Sequence, residues 1–238
     1  MTQVPALVAT DNERGYMHEL SSVSRAFLEF CPLARGPVLD LGCAGGVATL
    51  PALRTGADVI GFDMDARHLT ALEAATPPEL RARLRLVHGA FPRDFPFAPD
   101  SLGAVLISQV LGFLTGEEIR VGFRSLHACM MPSAKLFIVN YTPFISITER
   151  YLPDYEAKRV RGHEWPGYVD DLRRYCARAD LLQNLPNALN LMDPEVLGRE
   201  LTRAGFLIER SQFLGGEQVP QKFRLDGREW VAVVATRT

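Results

Sequence analysis

The chain has 238 residues, 47% of them hydrophobic, which is enough for a large core in one domain with an elaboration rather than two equal domains. Its 26 Lys and Arg against 28 Asp and Glu leave a formal charge of −2, which is not the electrostatic footprint of a general nucleic-acid binder. Cys31, Cys43, Cys129 and Cys176 are widely spaced without a C-x-x-C pair, so neither a disulfide framework nor a zinc site is expected.

At the N-terminus no basic region precedes an apolar core, and no run anywhere reaches the ~18 apolar residues of a membrane span. A cytoplasmic protein without a membrane partner is the expectation. Residues 1–15 are weakly patterned. Met17, Leu20, Val23, Phe27 and Phe30 then recur near helical spacing and predict a helix over Tyr16–Cys31. Pro32–Gly36 link it to Pro37-Val38-Leu39-Asp40-Leu41-Gly42-Cys43-Ala44-Gly45-Gly46, a strand apolar enough to be buried on both faces, followed by an abrupt small-residue turn. The helix-compatible run Val47–Leu53 comes next. Strand, turn and helix N-terminus together set backbone N–H groups around the polar end of a ligand. Small side chains let the ligand approach the main chain, and glycine admits backbone angles that other residues resist. Glycines serving only the geometry of a tight turn are the alternative. The next strand, Ala57–Asp63, weighs against it, because it ends in an acid 23 residues after Asp40, placed to accept hydrogen bonds from a ribose. The nicotinamide fingerprint G-x-G-x-x-G is absent: Gly42, Ala44 and Val47 occupy its three glycine positions.

Asp40, Gly42 and Gly46 fall on the pattern D-x-G-x-G-x-G, with Ala44 in place of the middle glycine, and Val59-Ile60-Gly61-Phe62-Asp63-Met64-Asp65 is similar to the strand that follows it. In these stretches the chain resembles the class I S-adenosylmethionine-dependent methyltransferases. The resemblance implies that S-adenosylmethionine lies across Asp40, Gly42, Cys43, Ala44 and Gly46, with its ribose on Asp63 and S-adenosylhomocysteine as product. It also implies an early helix over the methionine end, where Tyr16 is a candidate contact. Where relatives carry a G-D-A pattern this chain has His88-Gly89-Ala90, so the adenine-binding carboxylate is missing. Adenine is then expected on the backbone of Gly89, Ala90 and Phe91 and on apolar packing from Met64 and Phe91.

Further along, Asp65 is a plausible N-cap for a helix through Ala75, stopped by Pro77-Pro78. Leu84–His88 reads as a third strand and Ala104–Ser108 as a fourth. Ser108 and Gln109 begin the post-strand segment that lies under the cofactor in the family, at the carboxyl end of a central strand where α/β ligand crevices form. Glu117–Met130 is predicted as a helix, Met131–Ala134 as a turn and Lys135–Asn140 as the fifth strand. Asp193-Pro194-Glu195 supplies an N-cap and first turn for a helix to about Ala204, and Phe206–Phe213 and Trp230–Thr236 read as two late strands. The resemblance implies an α/β, Rossmann-like, mostly parallel seven-stranded sheet with a final antiparallel hairpin and helices on both faces, a single domain over residues 1–238.

Residues 141–190 exceed what a crossover between strands five and six needs. They hold over half of the Tyr and Trp, while 149–180 carries seven basic and seven acidic residues. Aromatics interleaved with both charges fit a helical cap over a small-molecule site; the alternative is a pair of helices packing aromatic stems onto the core. Within this segment His163 and Glu164 are the candidate general bases.

These readings favour methyl transfer from S-adenosylmethionine to a small-molecule acceptor, with no metal and no nucleic acid. The alternatives are a methyltransferase acting on protein or RNA, a non-catalytic module that keeps the cofactor pocket, and a nucleotide-sugar or NAD enzyme, the last disfavoured by the failed fingerprint.

Overall fold

Val38–Leu41 (β1) shows how the core is divided. Val38 and Leu39 are both fully buried yet join different apolar clusters, because successive strand residues point to opposite faces of a sheet. Leu106 joins the first cluster while Val105 and Ile107 join the second, and Phe137 and Ile138 divide in the same way. Strands buried on both faces are what a helix-covered parallel sheet requires, and they explain the near-continuous apolar runs in the sequence.

The computed structural model describes residues 8–10, 16–17, 19–176, 179–182 and 184–238. After β1 come Val59–Asp63 (β2), Leu84–His88 (β3), Leu102–Ser108 (β4), Met130–Tyr141 (β5), Phe206–Leu214 (β6) and Trp230–Arg237 (β7). They form one seven-stranded sheet in the order β6-β7-β5-β4-β1-β2-β3. β7 runs antiparallel to β5 and β6, and every other pair is parallel. The helices are Ser22–Phe30 (α1), Thr49–Arg54 (α2), Ala66–Ala75 (α3), Gly116–Cys129 (α4), Leu152–Val160 (α5), Ala179–Leu182 (α6) and Pro194–Arg203 (α7). α1 packs Val23 and Phe27 into the first cluster, with Phe27 edge-on to Phe137 at 5.7 Å; α4 and α7 pack Phe123, Leu126, Leu197 and Leu201 into the second. None of the described helices is long and apolar enough to cross a membrane.

Two boundaries differ from the sequence reading. α1 starts at Ser22 because the Ser21 hydroxyl accepts the Ser24 N–H and caps the helix there. Upstream, Tyr16–Met17 pair antiparallel with Val8–Ala9. The turn expected at 131–134 is a bulge inside β5. Pairing passes from Leu102 opposite Met130 to Ala104 opposite Lys135, with Ser133 at φ 66° between them.

The segment 141–190 is largely an integral layer. Tyr151, Tyr155 and Leu172 belong to the same cluster as Val38, Leu106 and Trp230. The Tyr155 hydroxyl donates to the Asp193 carboxylate, which also accepts the Val196 N–H and so caps α7. Trp165 packs against the guanidinium groups of Arg120 and Arg199, 5.4 and 5.9 Å from its ring. A Cβ on Gly116 would fall 2.2 Å from that ring, so only glycine lets α4 begin beneath it. The segment therefore cannot be removed without uncovering the core.

Tyr155 distinguishes a packed layer from a detachable lid. It is 1% exposed, so Tyr155→Ala is expected to lower the unfolding free energy by about 3–5 kcal/mol, the usual cost of truncating a buried aromatic side chain. Urea unfolding followed by circular dichroism measures this; a loss below ~1 kcal/mol would mean that the segment does not hold the core.

Candidate functional site

From β1 the chain passes to β2 and β3 on one side of the sheet, and from β4 to β5 on the other. The neighbours β1 and β4 therefore part at their carboxyl ends, the place where open α/β sheets form a ligand crevice. A cavity of about 800 Å³ opens there.

Of the residues proposed from sequence, Tyr16, Asp40, Gly42, Cys43, Ala44, Asp63, Met64, Ala90, Phe91, Ser108 and Gln109 line this cavity. Gly46 does not. It sits at φ +81°, where a Cβ would come within 2.4 Å of Leu72 Cδ1, so its role is to let α3 pack against the turn. Gly42 is equally constrained, at φ +79° with Val110 Cγ2 only 2.3 Å from where a Cβ would be. Ala44 occupies the left-handed region at φ 41° although it is not glycine. Its N–H donates to Asp63 Oδ2 at 2.9 Å, which holds the turn in that conformation.

Asp63 ends β2 and is 6% exposed. Its Oδ1 accepts the Asp65 N–H at 2.9 Å and His68 Nδ1 at 3.1 Å. A histidine early in a helix reads from sequence as a surface residue, yet His68 is 4% exposed and lines the cavity. The signal was present, since His68 lies one residue before Leu69 and four before Leu72, the buried face of α3. The backbone N–H groups of Gly89 and Ala90 are already taken, by Asp63 O and the Asp94 carboxylate. Met64 and Phe91 thus remain as the apolar surface at that end of the crevice.

Asp40 lies beneath the turn and accepts the Thr49 hydroxyl at 2.7 Å. Burial pushes its carboxyl up to about 6; the Thr49 hydrogen bond opposes the shift and the Asp63 charge adds to it. Burial likewise pushes the Cys43 thiol well above its usual range, so it serves as wall rather than nucleophile. Gln109 follows β4 at φ 59°, and both polar atoms of its buried amide lack a hydrogen-bond partner among the described residues. A non-glycine residue in the left-handed region costs roughly 1–2 kcal/mol, and an unsatisfied buried amide about 1–3 kcal/mol. Local folding recovers neither, and Gln109 lines the cavity.

Tyr16 donates to Leu181 O at 3.1 Å and accepts from Asn184 Nδ2 at 3.2 Å, tying the N-terminal wall to the insert. Tyr141 is 7% exposed, and burial, then the nearby Tyr16, raise its hydroxyl well above the usual range, so it stays protonated. Apart from Tyr141, the described residues of the insert give the lining only Leu185, Pro186 and Asn187; its other aromatics face the core or the surface.

His163 and Glu164 line a separate shallow depression with Thr115, Lys158 and Trp165, and share no lining residue with the cavity. Glu164 bonds to Arg120 at 2.7 Å and Arg203 at 3.2 Å, and these guanidiniums hold its carboxyl below the usual range. That is a poor setting for a base. Among the described residues no group of three or more His, Cys, Asp or Glu is placed to hold a metal ion.

Residues 38–133 match the family model of the methyltransferase domain. A methyltransferase dependent on S-adenosylmethionine from Methanosarcina mazei superposes with a TM-score of 0.66 over 92% of this chain and 98% of its own, at 17% identity. The glycopeptide N-methyltransferase MtfA, in complex with S-adenosyl-L-methionine, gives 0.60 over 92% and 95%, at 19% identity. At these identities the likeness shows the fold. A ubiquinone biosynthesis O-methyltransferase of Albidiferax ferrireducens is 36% identical over 67 residues, a match that spans 26% of this chain and 27% of that protein. Residues 38–133 are thus similar to a methyltransferase domain, and the chain shares the fold of solved S-adenosylmethionine-dependent methyltransferases. The crevice fits their cofactor, because buried Asp40 and Asp63 face a cavity suited to a cationic ligand and the Gln109 amide awaits a polar partner.

Asp40 gives a pH signature. Its folded pKa lies above its unfolded one, so the native state keeps a proton between about pH 4 and 6, and the stability tied to that proton is lost as pH rises through about 6. The buried charge then costs on the order of 3 kcal/mol at neutral pH. Asp40→Asn carries no such charge, so its stability without ligand, measured by urea unfolding, should exceed that of the unsubstituted protein by about 1–3 kcal/mol at pH 7.5 and by much less at pH 4.5. A difference independent of pH would show that Asp40 does not titrate in this window.

Proposed function

We propose that this protein transfers the methyl group of S-adenosylmethionine to a small-molecule acceptor. The observation that carries the reading is the meeting of two unlike walls in one cavity. One wall is the turn and carboxylates at the ends of β1 and β2; the other is largely apolar and comes from Tyr16, Met17, Leu20, Tyr141 and Leu185–Asn187. A cavity of about 800 Å³ lies in the range of small-molecule sites, ~300–1,000 Å³. Similarity to the ubiquinone biosynthesis O-methyltransferase also favours a small acceptor.

The sulfonium of the bound cofactor supplies a methyl group already activated for transfer. The protein's part is then to bind, align and exclude water. Asp40 and Asp63 supply negative charge, the Gly42–Ala44 main chain permits close approach, and Gln109 fixes a polar group at the end of β4. Tyr141, protonated and buried, serves as a hydrogen-bond donor. Proximity and orientation carry the acceleration on this reading, and neither His163 nor Glu164 acts as base.

Calorimetry with S-adenosylhomocysteine, NAD and ATP, followed by methyl-transfer assays across a metabolite panel, tests this reading. Binding is expected for S-adenosylhomocysteine and not for NAD. Preference for NAD or ATP, or transfer only to protein or RNA, would overturn the reading. Gln109 offers a sharper check: Gln109→Leu removes an unsatisfied buried amide, so the melting temperature should stay level or rise while kcat/KM falls at least tenfold, about 1.4 kcal/mol. Unchanged kcat/KM would remove Gln109 from the site.

A further inference from the structure

We infer that His68 is a second ribose ligand, taking one hydroxyl of the cofactor's diol while Asp63 takes the other. The inference rests on the methyltransferase reading above and adds a residue to it. A carboxylate offers about four acceptor positions, two on each oxygen. Asp63 has three of them filled from within the chain, by Asp65 N–H and His68 Nδ1 on Oδ1 and by Ala44 N–H on Oδ2. One position remains, on Oδ2, whereas a ribose presents two neighbouring hydroxyl groups.

His68 supplies the missing acceptor. A carboxylate only accepts hydrogen bonds, so Nδ1 carries the proton in the contact with Asp63, and in the neutral ring Nε2 is left as a bare acceptor. Nε2 is buried without a partner among the described residues, and His68 lines the cavity beside Asp63. A buried acceptor without a donor is unfavourable, and a ligand hydroxyl relieves it. The ring is also fixed in place. Asp65 caps α3 by accepting the Arg67 N–H at 2.9 Å, which sets His68 in the first turn on the same face as Leu69 and Leu72.

The discriminating variant is His68→Asn, whose amide keeps a donor toward Asp63 but is too short to replace Nε2. Calorimetry is run with S-adenosylhomocysteine and its 2′-deoxy and 3′-deoxy analogues on the unsubstituted protein and the variant. The unsubstituted protein is expected to bind both deoxy compounds about tenfold more weakly than the parent. The variant should bind the parent about tenfold more weakly and lose the penalty for one deoxy analogue while keeping it for the other. Equal weakening toward all three compounds, with both penalties intact, would make His68 a support for Asp63 and overturn the proposal; unchanged affinities would overturn it as well. Should the variant melt early, His68→Phe is read in the same way. If the unsubstituted protein does not bind S-adenosylhomocysteine, the methyltransferase reading fails and takes this proposal with it, an outcome distinct from the others.

Discussion

The carboxylate of Asp63 holds together the edge of the sheet on which everything else depends. It accepts N–H groups from Ala44 in the turn after β1 and from Asp65 at the start of α3, and it bonds the imidazole of His68. The turn after β1 and the first turn of α3 are thereby fixed to the end of β2. The turn needs this restraint, because Ala44 is held in the left-handed region that a free alanine avoids. Once the turn is fixed, Gly42 and Gly46 bring Val110 and Leu72 into contact with the main chain, and the crevice takes its shape.

Unfavourable features gather at this edge. Ala44 and Gln109 have positive φ, the Gln109 amide and His68 Nε2 are buried without partners among the described residues, and Asp40 is a buried acid. Strain and unsatisfied polar groups persist where the surrounding structure overdetermines them, and they mark places where a ligand completes the arrangement. The rest of the protein provides that support. Two apolar clusters fill both faces of the sheet, and the 141–190 layer adds Tyr151, Tyr155 and Leu172 to one of them. The same layer steadies the cavity wall through the hydrogen bonds of Tyr16 with Leu181 and Asn184.

Much of this was legible in the sequence because the signals are local. Val38–Leu41 and Ala104–Ser108 are apolar runs that only a doubly covered strand explains, and small residues after Asp40 announce a turn that admits a ligand. What escaped the sequence depended on long-range partners. Tyr151 and Tyr155 stand four apart and turn inward together, while the interleaved charges made the segment look like a cap over a small-molecule site. Glu164 looked like a base until Arg120 and Arg203, distant in the chain, were found beside it. The spacing of His68 from Leu72 signals its buried face, but nothing local shows that the Asp63 carboxylate five residues earlier bonds its ring.

The central claim is that the cofactor lies across the parting of β1 and β4, with its ribose at the end of β2. A crystal structure with S-adenosylhomocysteine tests it most directly. The account predicts the ribose within hydrogen-bonding distance of Asp63, the amino-acid end over Gly42–Ala44, and the Gln109 amide engaged. Ligand density outside this crevice, or a ribose that leaves Asp63 bonded only to its own chain, would contradict it.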